Sequence, residues 1–150
     1  MHFAKRRFSG FSVLFLLCSL LVISGCDAFG GNDSDPEIEG EYSFSTFLAG
    51  AETDFEGNLT QSGVSLSGTG TTSFTFQFDD GTSQSINVPS SISGNHNYPD
   101  VSITLTLEET ENVPEEDWLI DGEANDDASR ISGTLTFPSG DQRSIVMRRQ

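Results

Sequence analysis

Residues 38–150 of this 150-residue chain predict an all-β domain, an antiparallel up-and-down meander of eight to ten short strands closed into a small barrel. Three observations carry that expectation. Apolar and polar residues alternate with period two through almost everything after Gly40, turn-forming residues punctuate the chain every ~8 to 12 positions, and no helical periodicity of useful length competes. A meander with a single apolar face hides that face and its edges by closing on itself, which favours a barrel over an open sheet or a sandwich.

The runs that alternate are, in order, Glu41 to Leu48, Asp54 to Gln61, Gly63 to Thr69, Ser73 to Phe78, Gln84 to Val88, Ser91 to Asn97, Val101 to Glu108, Asp117 to Glu123, Arg130 to Phe137 and Gln142 to Arg148. Val101-Ser102-Ile103-Thr104-Leu105-Thr106-Leu107-Glu108 is the cleanest, apolar at odd positions and polar at even ones, as a half-buried strand requires. Turns are expected at Gln61-Ser62-Gly63, Asp79-Asp80-Gly81, Tyr98-Pro99-Asp100, Asn125-Asp126-Asp127 and Pro138-Ser139-Gly140-Asp141. An aliphatic-Ser-Gly element recurs as Leu66-Ser67-Gly68, Ile92-Ser93-Gly94 and Ile131-Ser132-Gly133. Its unequal spacing rules against a solenoid, and glycine inside a strand pattern marks a bend or bulge, which a tightly curved barrel needs.

Ahead of the domain, Lys5, Arg6 and Arg7 form a positive flank, Phe11 to Ile23 an apolar run of about 13 residues, and Ser24-Gly25 a small pair suited to cleavage. That run is shorter than the ~20 residues of a membrane-crossing helix. Ile23-Ser24-Gly25-Cys26 resembles the bacterial lipobox, in which the cysteine receives a diacylglycerol and becomes the N-terminus after cleavage. The resemblance implies a lipoprotein signal peptide over 1–25 and acylation of Cys26; an ordinary secretory signal with a chance cysteine is the competing reading. Two or three acyl chains exceed the two-signal threshold for stable anchoring, so the membrane is the expected partner. Residues 26–37, rich in Gly, Asp and Pro, read as a flexible acidic tether. Asp27 resembles an inner-membrane retention signal of some enteric bacteria, while the acidic tether resembles a surface-export signal of other Gram-negative groups. The expected location is the bacterial cell envelope, at the outer membrane before the inner.

Cleavage leaves about 125 residues, enough for one domain, with a formal charge of −19 and no lysine; only Arg130, Arg143, Arg148 and Arg149 are positive. Such a charge repels phosphates, which excludes nucleic acid as a partner. The acids are spread over turns and polar faces, which suits solvation in high salt, where screening shortens self-repulsion. This expectation of a saline habitat fails if the domain folds equally well in dilute buffer and in molar salt. Cys18 leaves with the signal and Cys26 is consumed by lipid, so no thiol remains for a disulfide, metal or nucleophile.

The domain also resembles the calycin-like barrels, particularly the short lipocalin-like domains of bacterial lipoproteins. Those families carry Gly-x-Trp in the first strand and a basic residue near the last, the arginine packing over the indole to close one barrel end. Here Gly40-Glu41-Tyr42 and Arg148 or Arg149 stand in those places, and Tyr42 with Arg148 is the candidate closing pair. An arginine over Tyr42 is worth ~0.5 to 2 kcal/mol. A membrane-spanning barrel would also alternate, with its apolar side outward. Lipobox processing, a C-terminal Arg148-Arg149-Gln150, and strands mostly below the ~9 to 11 residues needed to span favour a water-exposed barrel held by lipid.

Little in the domain points to catalysis, and neither cofactor nor metal is expected. His96 is its only imidazole, which precludes a multi-histidine zinc site, and a lone histidine in a polar turn reads as a solvated side chain. The acidic run Glu108 to Asp117 around Pro114 is expected in a hairpin loop and lacks the spaced pattern of a known calcium loop. Phe44, Phe55, Phe74, Phe76 and Trp118 are the candidate ligand-lining residues, since an eight-stranded interior is just wide enough for side chains or one small ligand. Three functions stay open. The first is a non-catalytic monomer binding a small apolar ligand in the barrel mouth, or a partner protein on the rim loops. The second is a structural lipoprotein with a filled barrel, and the third a small hydrolase using carboxylates. A phenylalanine-lined cavity of ~300 Å³ or more favours the first, a packed interior the second, and two carboxylates facing each other in a cleft the third.

Overall fold

The computed structural model describes residues 35–150; the sequence-predicted signal segment 1–25, the expected acylation site Cys26 and the expected tether as far as residue 34 lie outside the described residues. Eight strands succeed one another as β1 (Gly40–Leu48), β2 (Ala51–Ser62), β3 (Ser65–Gln77), β4 (Ser83–Asn97), β5 (Asp100–Leu107), β6 (Glu116–Ala124), β7 (Arg130–Thr136) and β8 (Gln142–Arg149). Each pairs antiparallel with the next, and β1 returns to β8 to close the barrel.

Ten sequence runs become eight strands because two apparent interruptions lie inside continuous strands. In β3, Gly68 and Gly70 stand opposite Leu59 and Gly57 of β2, so the ladder passes through them without a break. In β4, Pro89 lacks an N–H, but its carbonyl accepts from Glu108 N (2.9 Å) just beyond the end of β5. Carbonyl and amide of one strand residue point the same way, so the missing donor faces the side where the β5 ladder has ended, a position that tolerates proline. At 13 and 15 residues, β3 and β4 exceed the length needed to cross a bilayer, so strand shortness does not separate a spanning barrel from a water-exposed one. Direction does. Tyr42, Phe44, Phe55, Leu59, Ile103, Leu105, Trp118, Ile120, Leu135 and Met147 fill the interior, while the outer positions are mostly Ser, Thr, Asn, Asp and Glu, the reverse of a lipid-facing barrel.

The three aliphatic-Ser-Gly elements share one geometry. Leu66, Ile92 and Ile131 are buried, and a Cβ on Gly68, Gly94 or Gly133 would lie 2.1 to 2.2 Å from a carbonyl oxygen of the neighbouring strand. Leu66 stands opposite Gly94, and Ile92 opposite Gly68, so these two aliphatic side chains each sit across from a position that has none. These glycines mark where adjacent strands press together as the sheet coils.

Closure is uneven. The β1–β8 register covers Tyr42 with Arg149 and Ser43 with Arg148, whereas β1 pairs with β2 along its whole length from Gly40 to Leu48. The wall is therefore sealed near Tyr42 and has no β1–β8 ladder from Phe44 to Leu48. Phe47 and Val146 are exposed on the outer faces of these two strands.

Candidate functional site

The two ends of the barrel are built differently. At the first end the chain enters through Ile38, which is fully buried and whose amide donates to Gln61 Oε1 (2.7 Å). Tyr42 points inward beneath it and donates its hydroxyl proton to the Ala128 carbonyl. The β6–β7 loop is shaped to offer that carbonyl. Asn125 Oδ1 accepts from Arg130 N (2.8 Å), Asp127 Oδ1 accepts from Ser129 N (3.0 Å), and the fully buried Ala128 adopts φ 50°. Hydrogen bonds from Ser129 hold the Asp127 carboxyl below its usual range.

Arg149, rather than Arg148, completes this end. Its guanidinium carbon lies 5.6 Å from the Tyr42 ring centroid, and Nη2 and Nε donate to the phenol oxygen at 3.1 and 3.3 Å. Nη2 also donates to the Glu37 carbonyl (2.8 Å), tying the entering chain to the last strand. Strand alternation explains the correction: Ile145 and Met147 are buried, so Arg149 shares their parity and Arg148 faces outward. Burial pushes the Tyr42 phenol above its usual value, while Arg149 acts in the other direction.

His96 is also at this end, and it is not a solvated turn residue. It lies in β4 at 3% exposure, its ring edge-on to Tyr98 and its Nδ1 3.3 Å from Gln61 Oε1. An acceptor opposite Nδ1 puts the imidazole proton there, leaving Nε2 buried without a partner. Desolvation holds the imidazole below the usual histidine range, partly opposed by Asp35. Burial and a single shared partner suit a neutral ring that wedges the end shut.

The opposite end is open. There β3 and β4 overshoot β5, whose ladder with β4 begins only at Ser90, so the hairpin formed by Phe74–Gln77 and Ser83–Val88 stands above the closed part of the barrel. Beneath it lies a pocket of about 200 Å³, walled by Leu48, Phe74, Phe76, Ile86, Val113 and Trp118, with Asn112 and Glu116 as its polar lip. Trp118 anchors the floor, with Phe74 edge-on at 5.9 Å and Phe137 edge-on at 5.0 Å, and its indole Nε1 donates to Glu116 Oε2 (3.3 Å). Such edge-to-face pairs add ~0.5 to 1.5 kcal/mol beyond burial. The β5–β6 loop carries the acidic run from Glu108 to Glu115, with Glu116 and Asp117 already in β6, and it is pinned by Thr110 N donating to the Val113 carbonyl (2.8 Å), which holds Val113 against the core.

Of the five candidate lining residues, Phe74, Phe76 and Trp118 converge on this pocket. Phe44 and Phe55 do not; they stack on each other at 5.3 Å deeper in the barrel. Of the pocket residues that sequence reasoning missed, Leu48 and Ile86 carry no signal apart from inward parity in their strands, and Val113, in the β5–β6 loop, lacks even that. The interior between the two ends is packed, so the open volume is at the mouth. Among the described residues no three His, Asp or Glu side chains gather as a metal site requires. Wider depressions on the outer wall, one of about 460 Å³ beside Asp100, Asp121 and Glu123, have acidic side chains along their rims. Comparison with protein families, with curated proteins and with solved structures found no match for this chain.

Proposed function

We propose that this chain is a non-catalytic lipoprotein of the bacterial cell envelope, anchored through Cys26, whose filled barrel binds a small apolar group at its open end. The observation that carries the binding half is the asymmetry of the two ends: Tyr42, Arg149 and Ala128 tie off the one through which the chain enters, and the other holds an aromatic-floored pocket. Its volume of about 200 Å³ is below the ~300 to 1,000 Å³ of drug-sized sites, and benzene fills a cavity of ~150 Å³, so the occupant is one ring or a short aliphatic chain. The arginine over a first-strand aromatic supports a lipocalin-like assignment, with Tyr42 in place of tryptophan.

Two measurements test this. Detergent-phase partition of the wild type against Cys26→Ser reads the anchor: the wild type enters the detergent phase and the variant stays in water, and a wild type that remains aqueous with a free thiol overturns it. Native mass spectrometry of the protein from its own host reads the ligand, a retained mass of roughly 100 Da supporting the pocket. A second reading, a structural lipoprotein without ligand, draws on the packed interior from Tyr42 to Trp118; it prevails if the protein is recovered empty and no apolar probe perturbs Trp118.

A further inference from the structure

The pocket has a polarity that its apolar walls alone do not require. Glu116 stands on its lip, half-buried, and the indole N–H of Trp118 is the one hydrogen-bond donor its carboxylate meets among the described side chains. A carboxylate partly withdrawn from water and offered a single weak donor keeps most of its acceptor capacity unused. Around it negative charge predominates. Five glutamates occur between Glu108 and Glu116, and Asp79, Asp80 and Asp141 lie on the two neighbouring turns of the same end. Arg143 is the arginine at this end, and its Nη1 is turned back onto the Gln142 carbonyl (2.8 Å). Arg130, Arg148 and Arg149 belong to the other end. A low-dielectric pocket bordered by acids focuses a negative potential, and the aromatic rings of Phe74, Phe76 and Trp118 that line it suit a cation as well as a hydrocarbon.

We propose that the open-end pocket binds a small organic cation, an aliphatic or aromatic amine whose hydrocarbon part lies against Phe74, Phe76 and Trp118 and whose ammonium is held by Glu116. This rests on the reading of the open end as a ligand site and adds the charge of the ligand to it. An anion of the same shape meets the Glu116 carboxylate and the negative field of the acidic loop and is rejected. A neutral isostere gains the burial without the ion pair.

Trp118 is the sole tryptophan of the chain, so its fluorescence reports the pocket in the full-length protein without a label. The probes are n-pentylamine, n-pentanol and n-pentanoate, matched in length and short enough for the cavity. Pentylamine is expected to saturate the Trp118 signal at a concentration about tenfold lower than pentanol, the value of one charge-assisted hydrogen bond of ~1.4 kcal/mol, with pentanoate weakest. Glu116→Gln removes that advantage, bringing amine and alcohol within about twofold of each other. In the wild type, raising salt from ~0.05 to ~1 M narrows the gap between amine and alcohol and spares the alcohol itself, a readout that needs no variant. If pentanol binds as tightly as pentylamine, the cation proposal falls and the ligand site survives. If none of the three gives a saturable change, the ligand site falls with it.

Discussion

Removing the Tyr42 hydroxyl tests whether the closed end is a tied structure or a coincidence of packing. In Tyr42→Phe the ring still fills its place, but the buried Ala128 carbonyl loses its donor and Arg149 loses the acceptor for two of its N–H groups. A buried acceptor left unpaired costs about 1 to 3 kcal/mol, and we expect about 2. Arg149→Met keeps an unbranched stem and removes the cation over the ring together with the bond to the Glu37 carbonyl, for about 1 kcal/mol, discounted because the guanidinium is exposed to solvent. Arg148→Met, on the outward parity, should be neutral within ~0.5 kcal/mol. The double variant should show a coupling of about 1 kcal/mol, since one phenol oxygen serves both Ala128 and Arg149. Urea unfolding with an unchanged slope measures all four, and thermal midpoints should move by roughly 4 °C per kcal/mol. A Tyr42→Phe protein as stable as the wild type, or an Arg148→Met loss equal to that of Arg149→Met, refutes the closure.

Other consequences reach different parts of the barrel. His96 has its folded pKa depressed, so the unfolded chain binds its proton first; the associated stability is complete above the unfolded value of ~6.5 and is lost as pH falls through the lower folded value. Thermal midpoints from pH 8 down to 5 should therefore fall faster for the wild type than for His96→Gln, and parallel curves would show that His96 does not titrate in this window. Gly68→Ala, Gly94→Ala and Gly133→Ala each force a methyl to within about 2.2 Å of a carbonyl oxygen and should cost at least ~1 to 3 kcal/mol, whereas Gly140→Ala, in open space at φ 87°, should cost about 1. Hydrogen exchange read by NMR should find the alternate amides of Phe44 to Leu48 that face β8 exchanging much faster than those facing β2, and equal protection would mean that the β1–β8 ladder extends further than Tyr42 and Ser43.

Strand alternation made most of the barrel readable because one face is buried everywhere, and a half-buried strand announces itself at every second residue. What it could not show was where strands end. Gly68, Gly70 and Pro89 look like punctuation, and whether each interrupts a strand depends on what the neighbouring strand does beside it. The β1–β2 turn at Ala49-Gly50 is weakly marked in the sequence for a related reason: both residues have positive φ, at 50° and 88°, and alanine is not a residue that advertises that conformation. The closing arginine was within reach, since parity carried from Ile145 and Met147 selects Arg149 over Arg148. His96 was not, because only the fold shows that Gln61 and Tyr98 enclose it.

The position of the pocket follows from strand lengths rather than from any hole left in the core. Eight strands enclose an interior that side chains just fill, and here they do so from Tyr42 through Phe55 to Trp118. Space can persist only where the ring of strands is incomplete. That happens beyond Leu107, where β5 stops and β3 and β4 continue, so Phe74, Phe76 and Ile86 lose the strand that would have covered them and meet a loop instead. That loop is anchored by Val113 and otherwise acidic, so it shields the apolar surface from above while lending it a charge. Its residues contribute little to the packed core, and the β5–β6 segment can therefore change its side chains, and with them what the mouth accepts, at small cost to the barrel beneath. By contrast, Tyr42, Ala128 and Arg149 hold the entering chain and the last strand together, and a change there is felt as lost stability.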